Sequence, residues 1–460
     1  IIPPLPPPTV QPLHIVLLNQ AFFPDVVATA QMSTDLAADL VAKGHSVTAI
    51  ASRSIYGKSG ATLPNREILP NGVQVHRVGF SLFGRAGTLL RILDFGFFYL
   101  LAAFKLLAIR RPDVVVGFST PPYIALLTII NRWLRGSKAV YWAMDLYPDV
   151  IVADGLLKAN SPLTRLLDWF HRFLVRHADA TVTLGRCMLE KVRHKATPEA
   201  AGKVTFIPVW ADESGIRSID RATNPLRAQW ACGSAFTVMY SGNFGHGHDA
   251  ATLLEAMKRL KGRTADDTSG LRFIFVGGGK RRKEVEAFIA AEAISIASYH
   301  DYQPREKLAE SLSVGDVHII SLVEGMEGLI VPSKCYGIMA AERPAIFIGN
   351  PASEIARVLT ENECGIVVRQ GDADGLVSAI ESLTADPSRA AAMGKRARAA
   401  FEQAYCRSKA CARWEALLLR VCGAGPHTEP LHDAPSRSTA PNTLQNERPT
   451  GSHARYDHAQ

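Results

Sequence analysis

Short apolar runs alternate along the chain with longer amphipathic stretches. The first run, LHIVLL at residues 13–18, is typical of a strand that is covered on both faces. A loop, NQAFFPD, and an amphipathic stretch to about Lys43 follow, and Gly44 stands where a helix can end in the left-handed conformation. The pattern predicts a strand–loop–helix unit at the start of the folded chain.

This alternation recurs in two rounds, and each round predicts a parallel sheet built from strand–helix–strand units. The other strands of the first round are predicted at residues 45–50, 73–78, 113–117, 138–142 and 180–184. Those of the second round are predicted at residues 236–240, 271–276, 317–321, 345–348 and 365–369. Helices are predicted between them at residues 250–260, 283–293, 305–312, 333–341 and 374–383. We therefore expect an α/β protein of two Rossmann-like domains whose parallel sheets face a central cleft.

Five segments follow from this organisation. We expect a proline-rich arm (residues 1–12), a first domain (13–203), a second domain (204–387), helices that pack back across both domains (388–423) and a polar tail (424–460). The tail has too little apolar surface to offset the entropy of ordering, so we expect it to be disordered.

The composition is that of a folded globular protein, with 47% hydrophobic and 20% charged residues in a chain of 460. The net charge of +8 is a mild surplus that suits an anionic membrane surface or a phosphorylated ligand. Because the basic residues are dispersed, without a basic and aromatic stripe, we expect no nucleic-acid partner.

The cysteines and the first residues bear on the compartment. The seven cysteines are scattered without a Cys-x-x-Cys pair, which favours a reducing compartment over a zinc cluster or a disulfide scaffold. The chain opens on IIPP, whereas a secretory leader needs basic and then apolar residues, and the missing initiator Met indicates a trimmed start. We expect a cytoplasmic protein.

Glycine-rich junctions follow two strands of the second half, where open parallel sheets bind ligands. The first, YSGNFGHGHD, contains Gly242, Asn243, Gly245 and His246, whose backbone and side-chain donors suit a phosphate. The alternative is a tight turn with exposed histidines.

The second junction, VGGGKRRK, contains Gly277 and Gly278. It suits either a phosphate cradle or a flexible turn before a solvated basic face. It lacks the G-x-G-x-x-G spacing, which disfavours a nicotinamide dehydrogenase.

A third junction, EGMEGLIVPSK, gives the sharpest local signal. Ser333 falls in the predicted first turn of a helix, whose N–H groups can face a diphosphate, and Lys334 adds a full charge. Glu324 or Glu327 could accept hydrogen bonds from sugar or ribose hydroxyls. The alternative is an acidic surface loop with a helix cap.

In the first half of the chain, carboxylates and an amide directly follow predicted strands, as the glycine-rich junctions do in the second half. Asp145 and Asp149 could orient an acceptor hydroxyl or bind a sugar, or they could cap the next helix. Asn19 and Asp25, after the first strand, are open to the same two interpretations.

With these junctions in place, the chain resembles the GT-B glycosyltransferases of family 4, which retain the anomeric configuration. It is most similar to the branch that builds bacterial exopolysaccharide, colanic-acid-type polymers and O-antigen. The resemblance covers about residues 13–421, and the segments that carry it are HIVLLNQAFFPD, KGHSVTAIASR, VYWAMDLYPD, VMYSGNFGHGHDAATLLEAM, FIFVGGGK and EGMEGLIVPSKCYGIMAAERP.

The resemblance implies that the second domain holds a nucleoside-diphosphate sugar and the first domain an acceptor. It implies that Gly242, Asn243 and His246 line the diphosphate pocket. It also implies roles in holding donor phosphates and sugar for Glu324, Gly328, Leu329, Ser333 and Lys334. Neither a metal nor another cofactor is expected, because positive charge and a helix dipole would stabilise the leaving diphosphate.

The sequence departs from the family pattern at three places. Gly337 stands where the family often has a second glutamate, so Glu327 is a candidate partner for the ribose. Asn243 and His246 stand where the family has Arg and Lys, which shifts phosphate charge to Lys334. Where the family often has His before the acceptor-side Asp145, this chain has Met144.

The implied acceptor is a polyprenyl-diphosphate-linked sugar or an oligosaccharide. Residues 89–109, from Leu89 to Ile109, are apolar but interrupted by charges, so they suit interfacial contact with the inner leaflet or a buried helix better than a membrane span. Two alternatives to the transferase are a non-catalytic relative that binds a nucleotide sugar and a sugar-nucleotide epimerase.

Overall fold

The computed structural model describes residues 11–55, 62–79, 88–261 and 270–424. The expected proline-rich arm lies mostly outside the described residues, and the expected disordered tail lies outside them except for residue 424.

The first domain is built on an eight-stranded sheet in the order β3-β4-β2-β1-β5-β6-β7-β8. Its strands are β1 (His14–Leu18), β2 (Ser46–Ser52), β3 (Arg66–Ile68), β4 (Gln74–Val78), β5 (Val114–Gly117), β6 (Lys138–Trp142), β7 (Ala180–Thr183) and β8 (Val204–Phe206). All neighbouring strands are parallel except β3 and β4. The strands β5 and β7 are fully buried, as expected of a parallel sheet covered on both faces.

Helices cover both faces of this sheet. They are α1 (Ala28–Ala42), α2 (Thr88–Ala108), α3 (Leu126–Arg135), α4 (Asp149–Ala153), α5 (Pro162–His177), α6 (Arg186–Lys195) and α7 (Pro198–Ala201). The crossovers through α2, α3 and α5 all lead towards β8, so right-handed connections place these helices on one face, where α3 contacts both of the others. The crossover through α1 leads the other way and places that helix on the opposite face.

The second domain is built on a six-stranded parallel sheet in the order β11-β10-β9-β12-β13-β14. Its strands are β9 (Phe236–Ser241), β10 (Leu271–Val276), β11 (Ala297–His300), β12 (Val317–Ser321), β13 (Ala345–Ile348) and β14 (Gly365–Val368). Its helices are α8 (Pro225–Gln229), α9 (Ala251–Leu260), α10 (Arg282–Ala291), α11 (Leu308–Leu312), α12 (Lys334–Ala340), α13 (Glu354–Glu361) and α14 (Ala373–Ala385), with a 3₁₀ turn at Arg305–Lys307. Strand order reverses between β9 and β12, and such a switch point opens a crevice at the carboxyl ends of the strands.

The C-terminal helices return from the second domain to the first. They are α15 (Pro387–Ala400) and α16 (Arg407–Cys422), joined by a π-helical turn (Phe401–Tyr405). Helix α15 contacts α12 and α14, whereas α16 packs on α1 of the first domain. The Trp414 ring lies 4.3 Å from the Trp142 ring, so the helix is fixed in the first domain's core.

The strands that the sequence pattern missed are short edge strands. Strands β3, β8 and β11 lie at or near sheet edges, where one side needs no apolar cover, and they lack a continuous apolar run. Because β8 pairs with β7, the first sheet extends to residue 206, and the boundary expected between residues 203 and 204 falls before its last strand.

Candidate functional site

A cavity of about 80 Å³ lies between the two domains. From the first domain it is lined by residues at the start of α1, after β6 and after β7, and from the second by the loop that precedes α12. The lining residues are Ala28, Thr29, Met32, Met144, Asp145, Leu184, Val209, Val331 and Ser333. The expected cleft is therefore present, and two of the predicted site residues, Asp145 and Ser333, line one cavity.

Lys334, the first residue of α12, lies at the switch point of the second sheet. Its ammonium donates a hydrogen bond of 2.5 Å to the Tyr240 hydroxyl and lies 3.8 Å from the centre of that ring. Tyr240 belongs to β9 and stacks on Phe244, with 4.1 Å between the ring centres. The lysine is therefore held in place by an aromatic pair.

The ammonium of Lys334 lacks a counter-ion. In the described parts of the chain, no carboxylate oxygen lies within ion-pair distance of its Nζ atom. Desolvation lowers the pKa of Lys334 to about 7, although part of the side chain remains exposed. A cation in this position is stabilised by an incoming anion.

His248 lies close enough to Lys334 and to a second cation, Arg281, for both charges to act on its ring. Its Nδ1 atom donates to the Ser321 carbonyl at 2.6 Å, which leaves Nε2 as an acceptor. Burial, with the charges of Lys334 and Arg281, lowers the pKa of His248 to about 3, so the ring is neutral at physiological pH. Arg281 lies in the second glycine-rich junction but was not among the predicted site residues. Its Nε atom is buried without a hydrogen-bond partner among the described residues.

The two glycine-rich junctions pack backbone to backbone. Gly277 has φ +129°, and a Cβ there would lie 2.3 Å from the carbonyl oxygen of Gly242. Gly279 has φ +121°, and a Cβ there would lie 2.5 Å from backbone atoms of Phe244. The amide of Phe244 donates to the Gly278 carbonyl at 2.7 Å. These contacts between the two loops explain why positions 277 and 279 are occupied by glycine.

Gly242 differs from the other glycines because it faces the lysine. Its φ is +120°, and a Cβ there would lie 3.7 Å from Cε of Lys334. Asn243 and His246 are exposed at the rim, and Gly245 is half-buried between them. The first glycine-rich junction thus lies next to the side chain of Lys334.

The two glutamates of the third junction have different surroundings. Glu324 is exposed, and its backbone N–H donates to Gln370 Oε1 at 2.8 Å. Glu327 is half-buried, with Oε2 accepting from the Gly325 amide at 2.9 Å. Its Oε1 atom is buried without a partner among the described residues. Of the two glutamates, Glu327 therefore has a buried carboxylate oxygen that is free to accept a hydrogen bond within the described residues.

Gly328 and Leu329 of the same loop contact the first domain. A Cβ on Gly328 would lie 2.8 Å from the Cys187 carbonyl oxygen in α6, and its φ is +71°. The carbonyl of Leu329 accepts from the Leu146 amide at 3.0 Å, and its side chain is buried. These two residues therefore join the domains at the cleft.

Asp145 follows β6 on the first-domain side of the cavity. The backbone N–H groups of Met144 and Asp145 both donate to Ser119 Oγ, at 3.1 and 3.0 Å, which fixes the turn. No cation of the described residues lies within ion-pair distance of the carboxylate. Burial raises the pKa of Asp145 to about 6.

The other first-domain candidates are held by local contacts. Asp149 forms an ion pair with Lys195 at 2.6 Å. The amide nitrogen of Asn19 donates to the Ala21 carbonyl at 2.7 Å, while its buried Oδ1 has no partner in the described ranges. Asp25 Oδ1 accepts weakly from the Val27 amide at 3.5 Å. Asp145 is the carboxylate of this set that lines the cavity.

Both halves of the chain match known families. Residues 28–210 match the glycosyl transferase 4-like domain, and residues 226–400 match glycosyl transferases group 1. The chain belongs to the family 4 glycosyltransferases with the GT-B fold.

Relatives of this glycosyltransferase family include two bacterial proteins. The chain is 25% identical over 368 residues to WcaI of Escherichia coli K12, named as a colanic acid biosynthesis glycosyl transferase, covering 77% of this chain and 88% of WcaI. It is 29% identical over 258 residues to WbjE of Pseudomonas aeruginosa, named as a glycosyltransferase, covering 56% of this chain. That second match spans 62% of WbjE, less than two thirds of its length.

Solved GT-B structures share the fold at low identity. Sucrose-phosphate synthase of Thermosynechococcus elongatus has a TM-score of 0.72 at 16% identity, covering 90% of this chain and all of the other. HepE of Anabaena, solved with UDP and glucose, has a TM-score of 0.66 at 12% identity, covering 89% of this chain and all of the other. These similarities confirm the predicted fold of two parallel-sheet domains.

The family departure at Gly337 and the predicted helix start at Ser333 can both be located in this GT-B structure. A Cβ on Gly337 would lie 3.5 Å from Leu312 and 4.0 Å from Ile216, so position 337 faces apolar side chains. Ser333 precedes α12, which begins one residue later than predicted, and its hydroxyl makes no capping hydrogen bond. Because α12 has only seven residues, the phosphate site expected at its first turn rests on Lys334 rather than on a long helix dipole.

Proposed function

We propose that this protein transfers a sugar from a nucleoside-diphosphate sugar to a hydroxyl of a lipid-linked or saccharide acceptor, with retention, in bacterial cell-surface polysaccharide synthesis. The observation that carries the proposal is the unpaired ammonium of Lys334, fixed on Tyr240 at the switch point of the second sheet. Membership of the glycosyltransferase family and the names of the two relatives support it.

The donor binds on the second-domain side of the cleft. Lys334 and Arg281 supply positive charge to the diphosphate, and the neighbouring His248 is neutral and adds none. The free oxygen of Glu327 accepts a hydrogen bond from a ribose or sugar hydroxyl. Because this charge is already in place, it stabilises the leaving diphosphate without a metal ion.

The acceptor binds on the first-domain side. Asp145, ionised above its pKa of about 6, accepts a hydrogen bond from the attacking hydroxyl and orients it. In the transfer, the bond from the anomeric carbon to the diphosphate oxygen breaks and a bond to the acceptor oxygen forms. The acceptor's proton passes to the departing diphosphate, which leaves on the face that the acceptor attacks.

A thermal-shift screen of the purified protein tests the donor class, with UDP, GDP, ADP, CMP and NAD as ligands. A ligand present at 100 times its dissociation constant stabilises the folded state by about 2.7 kcal/mol. We expect a clear rise in melting temperature with one nucleoside diphosphate and none with NAD. No shift with any nucleotide would contradict the proposal.

Turnover then separates the enzyme from a non-catalytic relative. The sugar nucleotide of the class identified in the screen is incubated with the protein and an extracted lipid-linked acceptor, and released nucleoside diphosphate is measured. We expect release that depends on the acceptor. Binding without release under any acceptor would favour the non-catalytic relative, and conversion of the donor sugar without an acceptor would favour the epimerase.

A further inference from the structure

An apolar face of α2 points away from the first domain. Leu93, Leu100, Phe104 and Leu107 have exposed fractions of 43–62%, and their spacing places them on one side of the helix. The opposite side, which includes Phe98, is buried against the sheet. Asp94 and Lys105 lie outside this stripe, so its described side chains carry no charge.

The two neighbouring helices continue this surface. Helix α3 exposes Ile130, Trp133 and Leu134, and α5 exposes Leu163, Leu166 and Trp169, with exposed fractions of 43–65%. Since α3 contacts both α2 and α5, the ten side chains form one surface, which we call the three-helix face. Among the described residues, ten of the fifteen exposed large apolar side chains lie on it. Such clustering marks an interaction surface.

Most of the exposed charged side chains next to the three-helix face are basic, with Asp154 before α5 as an acidic exception. Lys158, Arg165 and Arg176 are exposed on or before α5 and form no ion pair with the described residues, and Arg110 follows α2. The acidic Asp168 of α5 forms ion pairs with Arg172 and Lys195. A symmetric contact between two copies would bring like charges together, whereas an anionic surface complements them.

We propose that the three-helix face docks the protein onto the surface of an anionic lipid bilayer. The apolar side chains enter the boundary between headgroups and acyl chains, and the basic side chains contact the headgroups. The contact is interfacial, since none of the helices in the described ranges is long and apolar enough to cross a bilayer. Docking does not depend on the donor chemistry. It extends the contact expected of residues 89–109 to α3 and α5.

Tryptophan fluorescence tests this docking directly. Trp133 and Trp169 are 56% and 54% exposed, while the other four tryptophans are buried, so an emission shift on vesicle addition reports the three-helix face. The full chain is mixed with phosphatidylcholine vesicles with or without phosphatidylglycerol. We expect a blue shift and co-sedimentation with the phosphatidylglycerol vesicles, both weakened by salt.

Variants distinguish docking through the three-helix face from non-specific adsorption to vesicles. Phe104→Glu with Trp169→Glu should lower the vesicle-bound fraction by about tenfold or more, because two charges enter the apolar boundary. Tyr302→Glu is the matched control, since Tyr302 is 59% exposed in the second domain, whereas the three-helix face belongs to the first, and it should bind normally. Trp133→Phe with Trp169→Phe should abolish the emission shift and keep the binding. An unchanged melting temperature shows that each variant is folded.

Three results would overturn the proposal. They are absence of binding to phosphatidylglycerol vesicles, equal loss of binding in Tyr302→Glu, and an emission shift that survives replacement of both exposed tryptophans. A concentration-dependent dimer that the Phe104→Glu and Trp169→Glu changes disrupt, without vesicle binding, would assign the face to a second copy instead. Because these assays use no nucleotide, their outcome is independent of whether the proposed transfer occurs.

Discussion

The two sides of the cleft each hold one ionisable group without a counter-ion, and the charges are opposite. On the second-domain side, burial lowers the pKa of Lys334 to about 7. On the first-domain side, burial raises the pKa of Asp145 to about 6. Both groups are therefore moved towards neutrality by the same cause, the loss of water around a charge.

The surroundings of the two groups differ, and the difference indicates what each side receives. Near Lys334 lie the neutral His248 and a second cation, Arg281, whose guanidinium is also 3.2 Å from Glu284. Near Asp145 lie the Ser119 hydroxyl and the Tyr141 ring, and no cation of the described residues lies within ion-pair distance of its carboxylate. The first arrangement suits a diphosphate and the second suits a hydroxyl that must be oriented. This difference in charge is the basis on which we propose a donor side and an acceptor side for the cleft.

The largest expected effect is on turnover in Asp145→Asn. The amide keeps the shape but loses the charge that orients the hydroxyl, so kcat should fall by about 100-fold. Donor affinity, measured by calorimetry, should remain unchanged. Asp149→Asn is the control, because Asp149 is paired with Lys195 outside the cavity, and its kcat should stay near wild type. A comparable fall of kcat in both variants would contradict the proposed role of Asp145 in orienting the acceptor.

Lys334→Ala should weaken donor binding by about thirtyfold or more, as expected when one partner of a desolvated charge pair is removed. Titration calorimetry with the nucleoside diphosphate measures the change. Lys280→Ala is the matched control, because Lys280 is an exposed lysine on the neighbouring glycine-rich junction. Equal affinities of the Lys334→Ala variant and wild type, at an unchanged melting temperature, would refute our placement of the diphosphate.

The pH profile of kcat/KM should be bell-shaped. The rate should rise through about pH 6 as Asp145 ionises and fall through about pH 7 as Lys334 loses its proton, reaching roughly a tenth of its maximum near pH 8. In Lys334→Arg, which stays charged, the fall above pH 7 should disappear. A falling limb that persists in this variant would assign it to another group.

The smallest expected effect is that of Glu327→Gln. One oxygen of Glu327 is held by the Gly325 amide, and the other is free to accept a hydroxyl. Loss of the charge should weaken binding of the nucleotide sugar severalfold, by about 1 kcal/mol. Glu324→Gln, at the exposed glutamate of the same loop, is the control. A larger loss in Glu324→Gln would reverse our assignment of the two glutamates.

Much of the donor side could be predicted from the sequence, because its signals are local. The run that ends in Ser333 and Lys334 directly follows a buried strand, and a lysine there has few structural uses. The pairing of Lys334 with Tyr240 could not be predicted, because the two residues lie 94 positions apart and meet only at the switch point of the sheet.

The glycines show where a local signal has two explanations. The sequence assigned Gly277 and Gly328 to ligand binding, and the structure shows close contacts of both with protein backbone. Gly277 lies against the first glycine-rich junction and Gly328 against α6 of the other domain. A glycine required by a neighbouring backbone and one required by a ligand look the same in a sequence, because both need room where a side chain would stand.

The central claim is that Lys334 binds the diphosphate of the donor. Proton uptake on donor binding tests this claim most directly. Near pH 8, a lysine with a pKa of about 7 is mostly neutral in the free protein, and a bound diphosphate restores its charge. Calorimetry with the nucleotide sugar in buffers of different ionisation enthalpy counts the protons taken up. We predict close to one proton for wild type and none for Lys334→Arg. Binding of the donor to wild type without proton uptake would contradict the account.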